Sequence, residues 1–75
     1  MSAKEGTFRL QPSGRWAIVR PGREPIEINS GDVFRLEVGG ELRPTRMEHQ
    51  WGEGYYCIDG YKLRNAMRAA VGVSE

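Results

Sequence analysis

Cysteine and histidine are nearly missing from this chain of 75 residues: Cys57 and His49 are the single examples of each. One cysteine excludes an intrachain disulfide framework and a cysteine-built zinc site. A small secreted domain usually carries several, so a reducing, cytoplasmic setting is the expectation. Long apolar runs are absent too. No stretch approaches the roughly 18 residues needed to span a bilayer as a helix, and the opening "MSAKEGTFRL" has neither the apolar segment nor the small-residue cleavage pattern of a signal peptide. No HExxH, CxxC, GxSxG or phosphate-loop pattern occurs. Nothing in the sequence implies a metal, a cofactor or a membrane partner.

Lysine is scarce, two against nine arginines. Arginine permits planar, bidentate or stacking contacts with carboxylates, phosphates and rings, although a GC-rich coding bias is the better explanation of the ratio. Net charge is only +1, unevenly spread. Residues 1–23 carry about +4, residues 24–60 about −5 and residues 61–75 about +2, counting Lys and Arg against Asp and Glu. So short a chain forms one domain, 1–75, and buries only about 60% of its unfolded surface.

What is present is punctuation. Gly and Pro recur every 8 to 12 residues, the spacing of a small all-β domain. In "TFRLQPSGRWAIVR", Phe8 and Leu10 alternate with polar residues, as do Trp16 and Ile18. A three-residue loop Pro12-Ser13-Gly14 sets Leu10 opposite Trp16 and Phe8 opposite Ile18, on one face. "IEI" and "VFRLEV" read as strands with Ile26, Ile28, Phe34, Leu36 and Val38 inward. Gly39-Gly40 suggests a two-residue loop, but that register mixes the faces. A three-residue loop, at Gly39-Gly40-Glu41 or Val38-Gly39-Gly40, keeps Leu42 and Pro44 with the core and carries Arg46 inward. Pro44, lacking an N–H, marks an edge or a bulge. "YYCID" is a further strand. From Tyr61 the apolar period becomes helical: Leu63, Ala66, Met67, Ala70 and Val71 form a stripe ended by Gly72.

The order of "GRW", "SGD", "GGELRPTRMEH" and "GEGYYCIDG" resembles a family of short bacterial proteins described as domain of unknown function 5348. The resemblance covers about residues 13–60 and is most specific at Pro44-Thr45-Arg46-Met47-Glu48; the tail from Tyr61 departs from it. It implies a small SH3-like barrel and a bacterial or mobile-element context, and no activity. The expectation is therefore a mainly β, antiparallel SH3-like β-barrel of five to six strands (6–11, 15–20, 26–28, 33–38, 42–49 and 55–58) with a C-terminal α-helix at 62–71. Residues 1–5 are expected to be disordered. The expected core is Phe8, Leu10, Trp16, Ile18, Ile26, Ile28, Phe34, Leu36, Val38, Leu42, Ile58, Leu63 and Met67.

Function classes follow from side chains. Cys57 alternates within a strand and reads as a wall residue, and Glu48 and His49, being adjacent on a strand, point to opposite faces. No catalytic residue is assigned and the chain is read as not an enzyme, leaving only an oligomer-built active site as a remote alternative. Non-catalytic protein binding is the leading expectation. Its candidates lie in the dense stretch "LRPTRMEHQWGEGYY": Arg43, Arg46, His49, Trp51, Tyr55 and Tyr56. Nucleic acid is the alternative partner, through Arg9, Arg15, Lys62, Arg64 and Arg68. Self-association into a homodimer, through an edge strand or the helix face of Ala66, Ala69 and Ala70, is a third option.

Overall fold

The computed structural model describes residues 4–72. Seven strands form one antiparallel sheet curled into a half-barrel: β1 Lys4–Leu10, β2 Trp16–Val19, β3 Ile26–Ile28, β4 Val33–Val38, β5 Glu41–Gln50, β6 Gly54–Cys57 and β7 Arg68–Val71. Their spatial order is β3-β2-β1-β7-β4-β5-β6. The expected disorder of residues 1–5 is corrected at its inner end, since Lys4 and Glu5 begin β1; residues 1–3 lie outside the described residues.

The first hairpin forms as its turn chemistry dictates. Phe8 pairs with Ile18 and Leu10 with Trp16. The Gln11 N–H donates to the Arg15 carbonyl at 2.8 Å, and the Gly14 N–H closes the turn onto the Gln11 carbonyl at 2.9 Å. Inside the curl Phe8 stacks between Trp16 and Phe34, with centroids 5.2 and 5.4 Å away. Ile18, Ile28, Leu36, Met47, Cys57 and Ala69 complete the buried cluster. At Gly6 the first two strands lie too close for a side chain. A Cβ there would strike the Val19 carbonyl oxygen and lie 2.8 Å from Arg20 Cγ, so only glycine lets β2 cross this close to β1.

The second hairpin overturns the three-residue loop. Val38 pairs with Glu41, leaving Gly39-Gly40 as a two-residue turn. Their φ values of 63° and 86° are those of a type I′ turn, whose twist matches the flanking strands and which two glycines enter without strain. The consequence is a one-residue slip that exchanges the faces of β5. Leu36 now faces Arg43, and Phe34 faces Thr45. Thr45 and Met47 are buried, whereas Pro44 and Arg46 are exposed on the outer face with half-buried Leu42. The Met47 N–H donates to the Asp32 carbonyl. Counting in twos along the ladder makes Val33/Arg46, Arg35/Pro44 and Glu37/Leu42 the non-hydrogen-bonded pairs. Pro44 therefore costs no bond to β4, and β6 does not reach it on the other side.

The C-terminal helix is also corrected: no helix occurs among the described residues. Residues 58–67 run irregularly, with Tyr61, Leu63 and Met67 packed onto the core. Ala66 has φ 73°, a left-handed conformation that no α-helix continues through. Residues 68–71 then insert between β1 and β4. β1 pairs with all of β7 and β4 with Ala69 and Ala70, and this backbone bonding outweighs the helix preference of the two alanines. The expected core loses Leu10 and Ile58, each 49% exposed, together with half-buried Val38 and Leu42, and gains Met47, Cys57, Ala17, Ala69 and Ala70.

Candidate functional site

The outer face of β4, β5 and β6 is built from three cross-strand rows. In the first, Val33 of β4 lies beside Arg46 of β5, and the Ile58 N–H donates to the Arg46 carbonyl at 2.9 Å. Val33, Arg46 and Ile58 thus stand side by side. In the second row Glu48 pairs with Tyr56. The third holds Pro44, opposite Arg35. Val33, Ile58 and Tyr56 are 65%, 49% and 41% exposed. Between the rows lies an open depression of about 330 Å³ lined by Val33, Pro44, Thr45, Arg46, Ile58 and Asp59. The guanidinium of Arg46 donates from Nε to Glu48 Oε2 at 2.6 Å, two residues along the same face. Arg46 is therefore not inward, as the sequence phase suggested. Its head is half exposed and its charge is paired on the surface.

The inner face of the same hairpin holds the other aromatics. Ile58 and Arg46 form a hydrogen-bonded pair, so Met47/Cys57 and His49/Tyr55 are the closer, non-hydrogen-bonded pairs. Accordingly the His49 and Tyr55 rings stand 4.7 Å apart. The Trp51 ring is 6.2 Å from His49, at a turn tip where it is 93% exposed. The Tyr55 hydroxyl accepts a hydrogen bond from Arg15 Nε at 3.2 Å, and Glu27 lies 3.8 Å from Arg15 Nη1. That bond, then the charges of Tyr55 and Glu27, hold the Arg15 pKa above its ordinary value. The six candidates of the dense stretch thus divide. His49, Trp51 and Tyr55 come together on one side, and Arg46 and Tyr56 on the other. Arg43 follows the inner phase near the start of β5, tied to Glu41 at 3.3 Å.

Burial pushes the Cys57 thiol upward in pKa. The neighbouring Thr45 hydroxyl pulls it the other way, although it falls short of a formed hydrogen bond, and Asp59 adds to the rise. A buried thiol held above its ordinary pKa is a weak nucleophile at neutral pH. Among the described residues no three His, Cys, Asp or Glu side chains gather where a metal could be held.

Residues 8–71 match the family model described as a domain of unknown function (DUF5348). The chain belongs to that family. The match continues through residues 61–71, the tail that the sequence resemblance set apart. No curated protein and no solved structure matches the chain. DUF5348 membership therefore brings no activity with it, and function has to be argued from surfaces.

The five basic residues considered for nucleic acid do not act as one set. Arg15 is bound to Tyr55 and Glu27. Arg68 lies between Glu5 at 3.4 Å and Glu37 at 4.0 Å. Arg9 is exposed on β1, while Lys62 and Arg64 line a separate, smaller depression of about 140 Å³ beside Gly39. Sequence reading missed Val33, Pro44 and Ile58 as surface residues. The alternation around buried Phe34 already turns Val33 outward, but Pro44 and Ile58 needed the true register of β5.

Proposed function

We propose that this chain is a non-catalytic protein-binding module that receives its partner on the outer face of β4, β5 and β6. One observation carries the reading: Val33, Tyr56 and Ile58, three of the five exposed large apolar side chains among the described residues, lie contiguously around Arg46. Scattered apolar residues on a surface mean little, but a joined patch with a depression at its centre is the mark of a contact site. β6 ends the sheet, and the Tyr55 and Cys57 N–H groups point away from β5. The partner that fits is an extended segment that adds to this edge and places an apolar side chain over Val33 and Ile58. The same reading takes the curled sheet as SH3-like. The close crossing at Gly6 and the Arg15–Tyr55 bridge between β6 and the β1–β2 loop support this. The free, buried thiol of Cys57 fits a reducing compartment.

The test is affinity capture from a host lysate with three baits: wild type, V33D/I58D and, as a control far from this face in sequence, R23D. All three positions are exposed, so thermal melts should agree closely. The expected result is a protein captured by wild type and R23D and lost with V33D/I58D. Equal capture by all three baits, or none above background with wild type, would refute the assignment.

A further inference from the structure

We propose that the depression between the Val38–Gly39 turn and the Tyr61–Arg64 segment binds a phosphate group. It shares no lining residue with the depression of the protein-binding face. From Tyr61 to Arg64 burial alternates: Tyr61 and Leu63 pack on the core, while Lys62 and Arg64 are exposed. Packing of Tyr61 and Leu63 thus leaves the two cations on the solvent side of this irregular segment. Both line the depression, together with Glu37, Val38, Gly39, Tyr61 and Met67. Its volume of about 140 Å³ holds several water-sized atoms.

What sets this place apart is that two cations without a carboxylate contact line one depression. Among the described residues Lys4, Arg9, Arg20, Arg23 and Arg35 also lack such a contact, but none of them lines it. Arg15, Arg43, Arg46 and Arg68 each lie within 4.0 Å of a carboxylate. Among the described residues, Lys62 and Arg64 make no such contact. The one carboxylate in the lining, Glu37, lies 4.0 Å from Arg68, so the three cations around it outnumber its charge. Gly39 contributes no side chain, and the space around its Cα is open. Arg64 offers a planar fork suited to two phosphate oxygens, and Lys62 a compact charge beside it. Phosphate is favoured over a carboxylate because its greater charge and additional acceptor oxygens can use both cations at once. The phosphate could be free or part of a nucleic-acid backbone. Both share the recognising chemistry, and the experiment separates them.

The experiment is a titration of the ¹⁵N-labelled chain with inorganic phosphate, ionic strength being held constant with chloride. Saturable amide shifts are expected at Val38, Gly39, Lys62 and Arg64. In K62Q/R64Q, half-saturation should require about tenfold or more phosphate, with the remaining spectrum unchanged. A second titration uses a single-stranded oligonucleotide at low salt. Tighter binding that is lost in K62Q/R64Q and falls steeply with salt assigns the phosphate to nucleic acid; no gain over inorganic phosphate assigns it to a free anion. Shifts that never saturate, shifts of the same size at Arg23 and Arg35, or an unchanged response in K62Q/R64Q would overturn the proposal.

Discussion

Replacing Gly6 by alanine should be among the most damaging single-methyl changes in this chain. Ordinarily the exchange helps a strand, because alanine loses less backbone entropy than glycine, by about 0.5–1 kcal/mol. Here the new Cβ would fall on the Val19 carbonyl oxygen, 2.8 Å from Arg20 Cγ and 3.0 Å from Ile18 Cγ2. The Arg20 side chain can move. The carbonyl cannot, because Val19 is paired with Thr7 in the β1–β2 ladder, and Ile18 is held in the core. Overpacking of a well-filled site costs about 1–3 kcal/mol, and a clash with paired backbone belongs at the top of that range. A chain of this size has about 4–11 kcal/mol of stability in all. A loss of about 3 kcal/mol corresponds to roughly 12–24 °C in melting temperature. Urea unfolding followed by tryptophan fluorescence measures this directly, with Gly14→Ala as the control. Gly14 sits at φ 91° in open space, so its variant should lose only about 1 kcal/mol from left-handed strain. If Gly6→Ala is as stable as the wild type or more so, β1 and β2 do not cross as described and the curl of the sheet is wrong.

Other expectations are more local. Phe8→Ala, which empties the centre of the Trp16–Phe8–Phe34 stack, should cost about 3–5 kcal/mol, read as a lowered urea midpoint by circular dichroism. Arg46→Ala should change stability by no more than about 1 kcal/mol, because its pair with Glu48 is on the surface; a loss of several kcal/mol would return the side chain to the interior. The raised thiol pKa of Cys57 has a definite sign. Above the ordinary thiol range, from about pH 8.5, the unfolded chain ionises while the folded one does not, so stability should fall as pH rises. Cys57→Ala should remove that part of the slope in urea midpoints between pH 7 and 10, and an identical slope in both proteins would contradict the assignment.

Much of the sheet was legible in the sequence because local and global signals agreed. Pro12-Ser13-Gly14 demanded the same register as the alternation of Phe8, Leu10, Trp16 and Ile18, and β3 and β4 were bounded by unmistakable turns. Legibility ended where the two signals conflicted. At Gly39-Gly40 the hydrophobic phase of Leu42 and Pro44 argued for three loop residues, while turn chemistry argued for two. The turn prevailed because two glycines suit a type I′ geometry and because Thr45 and Met47 can fill the inner face instead. Everything said of Arg46 followed from that choice. The C-terminal stripe misled for another reason. Leu63 and Met67 are core residues of an irregular segment, and Ala69 and Ala70 are both buried because β7 lies inside the sheet. A central strand reads as a continuous apolar run, without the alternation that identifies a strand half exposed to water. The candidate site suffered accordingly. Alternation required one of Tyr55 and Tyr56 to be a surface ring without saying which, and the patch of Val33, Pro44 and Ile58 exists only in the register that was not expected.

The placement of that patch depends on one pairing, and solution NMR reads it directly. Non-hydrogen-bonded partners in an antiparallel ladder bring their Cα atoms to about 4.5 Å. The expected spectrum has Hα–Hα cross-peaks between Val33 and Arg46 and between Glu37 and Leu42. Cross-peaks joining Glu37 or Arg35 to Arg43 instead would shift β5 by one residue, turn Arg46 back towards the core, and dismantle the proposed surface.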